Sequence, residues 1–131
     1  MKNRAIAVTN GIQIGVETFY QDEISYPLRG EHVFAYRITI ENKSTYRVQL
    51  LRRHWHIFDS QGEWREVAGE GVVGQQPMLS PGEKYQYVSG CHLSSDIGAM
   101  HGTFSMVREA DGAALEIQIP RFELIARSRL N

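Results

Sequence analysis

The chain has 131 residues, enough for one domain and not for two. Its formal net charge of −1, from 14 Lys and Arg against 15 Asp and Glu, lacks the basic excess that a dedicated nucleic-acid binder uses to neutralise phosphates, so no nucleic-acid partner is expected. The single cysteine, Cys91, excludes an internal disulfide. With no export signal and no apolar run near the roughly 18 residues of a membrane span, this points to a reducing cytoplasm and no membrane insertion.

Alternation with period two dominates the chain. Ile12, Ile14 and Val16 share one face of a first strand. Tyr26 to Gly30 is a loop. Phe34, Tyr36, Ile38 and Ile40 then alternate with Ala35, Arg37, Thr39 and Glu41, the cleanest strand pattern present. Asn42 to Thr45 is a turn. Val48 to Phe58 reads as a long strand with apolar residues on both faces and Trp55 in the core. Asp59-Ser60-Gln61-Gly62 turns the chain, and Glu63 to Val67 returns it as a hairpin. Trp64 on that short strand is a candidate partner anchor, set against partial packing on the sheet.

Residues 69–74, Gly69-Glu70-Gly71-Val72-Val73-Gly74, match G-x-G-x-x-G. A dinucleotide site needs this motif to follow a strand and open a helix. Here Gln75-Gln76-Pro77-Met78-Leu79-Ser80-Pro81-Gly82 follows, and two prolines with a Pro-Gly turn leave no room for a helix. No nicotinamide, flavin or other cofactor is therefore expected. The segment is an inter-sheet crossover, an anion-binding nest of curled backbone N–H groups, or a partner-binding loop.

Lys84 to Val88 carries Tyr85 and Tyr87 on one face. Ser94 to Met100 has room for one helical turn before a strand at Met100–Val107. Asp111-Gly112 marks a hairpin, and Leu115, Ile117 and Ile119 mark the last full strand. The tail from Arg121 to Asn131 begins as an edge strand and then frays. Seven to eight strands with regular turn signals predict an all-β, immunoglobulin or fibronectin-III-like two-sheet sandwich. It is read as one domain over 1–131, with its core over about residues 5–125.

Several segments carry a resemblance. Val8 to Ile12, Val48 to Trp55, the glycine segment through Gln76-Pro77, Leu79 to Glu83, Ser89-Gly90-Cys91 and Ile119 to Leu124 together resemble the bacterial ApaG family, in order and over about 120 residues. His92 stands where that pattern has a proline after the cysteine. The resemblance implies a fibronectin-III-like sandwich and a genetic link to cobalt and magnesium resistance or efflux. It also implies kinship with domains in eukaryotic F-box proteins and a DNA-polymerase-interacting protein, where they look like protein-binding modules.

The candidate binding set is Gly69, Glu70, Gly71 and Gly74 with Arg52, Arg53 and Arg65, the arginines being charge-assisted donors on the two strands just before the glycines. Glu70 opposes an anion there. His54 and His56 form H-x-H on one strand face, the start of a metal site that lacks a third ligand at a recognisable spacing. His32, Cys91, His92 and His101 are the remaining metal candidates, and no bound metal is expected. Cys91 and His92, as strand neighbours, point apart and make no catalytic pair. Neither Ser89 nor Ser94 lies in a nucleophile elbow. The sequence thus reads as a binding module for an unidentified protein partner. The alternative is a small-anion or nucleotide (pyrophosphate) binder, or a weak phosphohydrolase, built on the arginines and glycines.

Overall fold

The alternation of Phe34, Tyr36, Ile38 and Ile40 builds a central strand, His32–Asn42, whose four apolar side chains are all buried. This is seen in a computed structural model that describes residues 3–126. In chain order the strands are β1 (Asn3–Thr9), β2 (Ile12–Tyr20), β3 (His32–Asn42), β4 (Val48–Asp59), β5 (Glu63–Glu70), β6 (Met78–Leu79), β7 (Lys84–Leu93), β8 (Ile97–Arg108) and β9 (Ala114–Ile125). One sheet has the order β1-β2-β3-β7, the other β5-β4-β8-β9, and the two-residue β6 pairs with β4. All these pairings are antiparallel. The inward faces meet around Trp55, which packs edge-on against Tyr36, Phe104 and Phe122. Among the described residues no helix is long and apolar enough to cross a membrane.

Three local expectations change. The expected strand at Ile12 is present as β2, and an additional strand, β1, precedes it from Asn3. The alternation of β1 is inverted: Ile6 and Val8 point outward and are exposed, while Ala5 packs on the core. The expected helical turn over 94–100 is absent, and β8 begins at Ile97. There the Ser94 N–H (2.6 Å) and the Ser94 hydroxyl (2.7 Å) donate to one Asp59 oxygen, and the Ser95 hydroxyl donates to the other. Side-chain bonds of this kind compete with helical backbone bonding. The described helix is confined to two short 3-10 turns, Asp22–Ile24 and Pro27–Arg29. The expected edge strand at Phe122 and Leu124 belongs to β9, whereas the fraying tail lies outside the described residues.

Asp59 is itself 2% exposed. Burial pushes its pKa up, but the donors from Ser95, Ser94 and Gln61 outweigh burial and hold it below the ordinary 3.8. A depressed carboxyl contributes stability in full above its ordinary value and loses it as pH falls through the folded value. Asp59→Asn should therefore cost about 1–3 kcal/mol near neutrality, and the gap to the native chain should close as pH falls below the ordinary 3.8 and through the folded value. Denaturant melts across that range check this, and a gap independent of pH contradicts it.

The two sheets do not close on both sides. At one side β1 and β9 pack together, and the Gln118 N–H donates to Thr9 Oγ1 at 3.2 Å. At the other side the edge strands are β5 and β7, and a cleft of about 420 Å³ lies between them.

Candidate functional site

The cleft is assembled by strand parity. In β4, Val48 and Leu50 face inward, but the register against β8 shifts between Leu50 and Arg52. This bulge inserts one residue and reverses the faces beyond it. Arg53 therefore joins Trp55 and Ile57 on the inward face, while Arg52, His54 and His56 face outward. The β5 residues take the side of their partners. Gly69 lies opposite Arg53, Val67 opposite Trp55 and Arg65 opposite Ile57, so Val67 and Arg65 line the cleft. From β7, Tyr87, Ser89 and Cys91 complete it, and Tyr36, Trp55 and Met100 form its floor.

Two guanidinium groups lie in this cleft. Arg53 Nη1 donates to the carbonyls of Glu70 (3.0 Å) and Gly71 (2.9 Å). It can lie flat across the sheet because Gly69 has no side chain: a Cβ there would stand 3.1 Å from both Nη atoms. Arg65 reaches across the open side and donates from Nη2 to the His92 carbonyl at 2.7 Å, with Cys91 Sγ at 3.7 Å. By contrast, Arg4, Arg37, Arg47 and Arg108 each pair with a carboxylate. Among the described residues no carboxylate lies in ion-pair range of Arg53 or Arg65. Carbonyl partners satisfy N–H groups without cancelling charge, so the cleft stays positive.

The neutral groups lie beside them. Burial pushes the Tyr36 hydroxyl up, with Ser89 as hydrogen-bond partner opposing the shift. Burial pushes Tyr87 up further, and its hydroxyl is a buried polar atom without a partner. Burial also raises the Cys91 thiol above its ordinary range, against the pull of Arg65. A thiol held protonated is a poor nucleophile.

The glycine segment closes one end of the cleft and contains no helix. β5 runs through Glu70, the Gly71 N–H donates to the Leu51 carbonyl, and Val72 and Gln75 exchange both backbone bonds. Val73 (φ 47°) and Gly74 (φ 76°) form the tip. Positive φ at both central residues marks a type I′ turn. The amides of Gly71, Val72 and Gln75 are thus already used and do not face an anion. Val73 is β-branched, 61% exposed and in the left-handed region, a costly conformation at the cleft mouth.

The sequence-derived set therefore divides. Arg53, Arg65, Gly69 and Gly71 belong to the cleft and its end, and Gly74 sits at the turn tip. The side chains of Arg52 and Glu70, paired in register, lie on the outer face of the sheet, and Glu70 meets the cleft only through its carbonyl, which accepts from Arg53. Tyr36, Tyr87 and Ser89, outside that set, join the cleft because the pairing of the sheets brings them under the two arginines.

On that outer face, His54 Nε2 and Glu66 Oε2 are 3.0 Å apart, and His56 Nδ1 and Glu66 Oε1 are 4.0 Å apart. The hydrogen bond with His54, then the nearby His56, holds the Glu66 carboxyl below its usual range. The His101 ring stacks on His56 at 4.9 Å. Burial, then His56 and Arg121, lower its pKa. Trp64 is 66% exposed and rests on Phe58 at 4.7 Å. Of the other candidates, buried His32 places Nδ1 3.0 Å from the Tyr20 hydroxyl, and His92 lies on β7.

Comparison with known proteins places this architecture. A "Protein ApaG" from Brucella canis is 50% identical over 118 residues, covering 90% of each chain. One from Mesorhizobium japonicum is 48% identical over the same length. The crystal structure of an ApaA protein from Bordetella pertussis superposes with a TM-score of 0.86 at 41% identity, covering 88% of this chain and 94% of that one. The C-terminal domain of wzt, at 10% identity and a TM-score of 0.55, shares the fold alone. The family model for the ApaG domain matches residues 22–108, two thirds of the sequence. With both the family model and relatives at half identity in agreement, the chain belongs to the ApaG domain family.

Proposed function

We propose that the chain is a non-enzymatic binding module that takes an extended, acidic segment of a protein partner along its open side. The observation that carries this is the pair Arg53 and Arg65, held by main-chain carbonyls and not by carboxylates. They sit in a cleft between two edge strands, beside a buried tyrosine hydroxyl without a partner. Edge strands accept an added strand through their unused backbone groups. Val67, Val73 and Val88, all exposed at the cleft, supply apolar contact, and the arginines select a carboxylate. The role in cobalt and magnesium resistance that the family resemblance implies would be exercised through such a partner, in the cytoplasm.

A second reading has one observation in its favour: the same two guanidinium groups suit a free phosphate or pyrophosphate. It is weakened by the occupied amides of the glycine segment.

Capture from the organism's own cytosol separates the readings. Arg65→Glu should abolish capture while unfolding with a loss of only about 1 kcal/mol, the worth of an exposed hydrogen bond. Arg52→Glu, thirteen positions earlier on the outer face, should capture like the native chain. Equal loss in both variants would mean general charge attraction, and native capture by Arg65→Glu would sink the proposal. Saturable pyrophosphate binding without protein capture would install the second reading.

A further inference from the structure

We infer that the outer face of the β4–β5 hairpin holds a site for a divalent transition ion of the zinc type, with His54, His56 and Glu66 as ligands. His54 and His56 project from one face of β4, and the register places Glu66 directly opposite His56 on β5. The two imidazole rings are 4.6 Å apart and tilted by 33°. One carboxylate oxygen faces each ring: Oε2 is 3.0 Å from His54 Nε2, and Oε1 is 4.0 Å from His56 Nδ1. One donor atom from each residue lies within 4.8 Å of the other two. Metal–donor bonds of about 2.0–2.2 Å in a tetrahedral site put donors roughly 3.3 Å apart, so small side-chain rotations complete the triad.

The surroundings favour closure. Ala68, opposite His54, is too short to crowd it. The His101 ring, stacked on the β8 side of His56 at an interplanar angle of 13°, limits how that ring can turn. Two imidazoles and one carboxylate leave a fourth position for water, the arrangement of an open zinc site. The donor chemistry also selects the ion. Imidazole nitrogen suits zinc and its transition-metal neighbours, whereas magnesium demands oxygen ligands in octahedral geometry. The site is separate from the cleft, because His54 and His56 alternate along β4 with the inward-facing Arg53 and Trp55.

Isothermal titration of the full chain with zinc chloride, in buffer containing excess magnesium, tests this. One zinc per chain should bind with micromolar affinity that magnesium does not displace. His54→Ala, His56→Ala and Glu66→Gln should each weaken binding at least about tenfold, since even outer-shell partners of a metal are worth that much. All three side chains are at least one-third exposed, so each variant should melt close to the native chain. Cys91→Ser and His92→Ala should bind as the native chain does. Zinc should also shift the ring-nitrogen resonances of His54 and His56. Absence of zinc binding, or near-native affinity in any one of the three ligand variants, would overturn the assignment.

Discussion

Trp55→Ala is expected to lower the free energy of unfolding by about 3–5 kcal/mol, the range for removing a buried large aromatic. Trp55 is 2% exposed, so its deletion leaves a cavity between the two sheets. It also breaks edge-to-face contacts with Tyr36 at 5.4 Å, Phe122 at 5.8 Å and Phe104 at 6.4 Å. Those rings are rooted in β3, β8 and β9, so the loss is felt across the sandwich. Against a total stability of about 5–15 kcal/mol for an ordinary domain, this is a large share. Trp64→Ala should cost under about 1 kcal/mol, because Trp64 is 66% exposed and has Phe58 as its ring contact. Urea melts of both variants decide it. Similar losses for the two tryptophans would mean that the core lies elsewhere.

Gly71→Ala should cost about 2–4 kcal/mol, from left-handed strain and from collision. The residue has φ 65°, and a Cβ there would lie 2.4 Å from the Gln75 carbonyl oxygen. Backbone has to move, and the Val72–Gln75 bridge at the end of the cleft moves with it. Gly74→Ala also meets a positive φ, of 76°, but nothing lies within 4 Å, so only the conformational cost of about 1 kcal/mol applies. Glu70→Ala, on the outer face, should stay within about 0.5 kcal/mol and leave capture unchanged. Denaturant melts of the three variants should therefore rank Gly71 far above Gly74, and Gly74 above Glu70. A Gly71→Ala variant as stable as the native chain would contradict the turn geometry.

The legible parts of this chain are those where burial and strand parity agree. β3 could be read because Phe34, Tyr36, Ile38 and Ile40 alternate against polar or small residues and all end up buried. β1 was opaque because Ile6 and Val8 face outward on an edge strand, with alanines turned to the core. The candidate site was half legible. Its residue types stood out, but parity counted from Val48 puts Arg52 inward and Arg53 outward. The bulge after Leu50 reverses that, and nothing local in Leu51-Arg52 announces a bulge. Glu66 was missed as a partner of the histidines because hairpin register depends on loop length. The signal lay in Asp59-Ser60-Gln61-Gly62: a three-residue loop ending in a left-handed glycine fixes Asp59 opposite Glu63, and so His56 opposite Glu66.

The central claim is that the open side between β5 and β7 receives the partner. Site-specific photo-crosslinking in the native cytosol tests it most directly. A crosslinker placed at Val88, on β7 at the cleft, should trap a discrete protein partner. The same group at Val8, on the closed side, should trap none, although the two positions are equally exposed at 57% and 59%. Arg65→Glu should suppress the Val88 product. A product formed from Val8 as readily as from Val88, or a Val88 product indifferent to Arg65→Glu, would contradict the account.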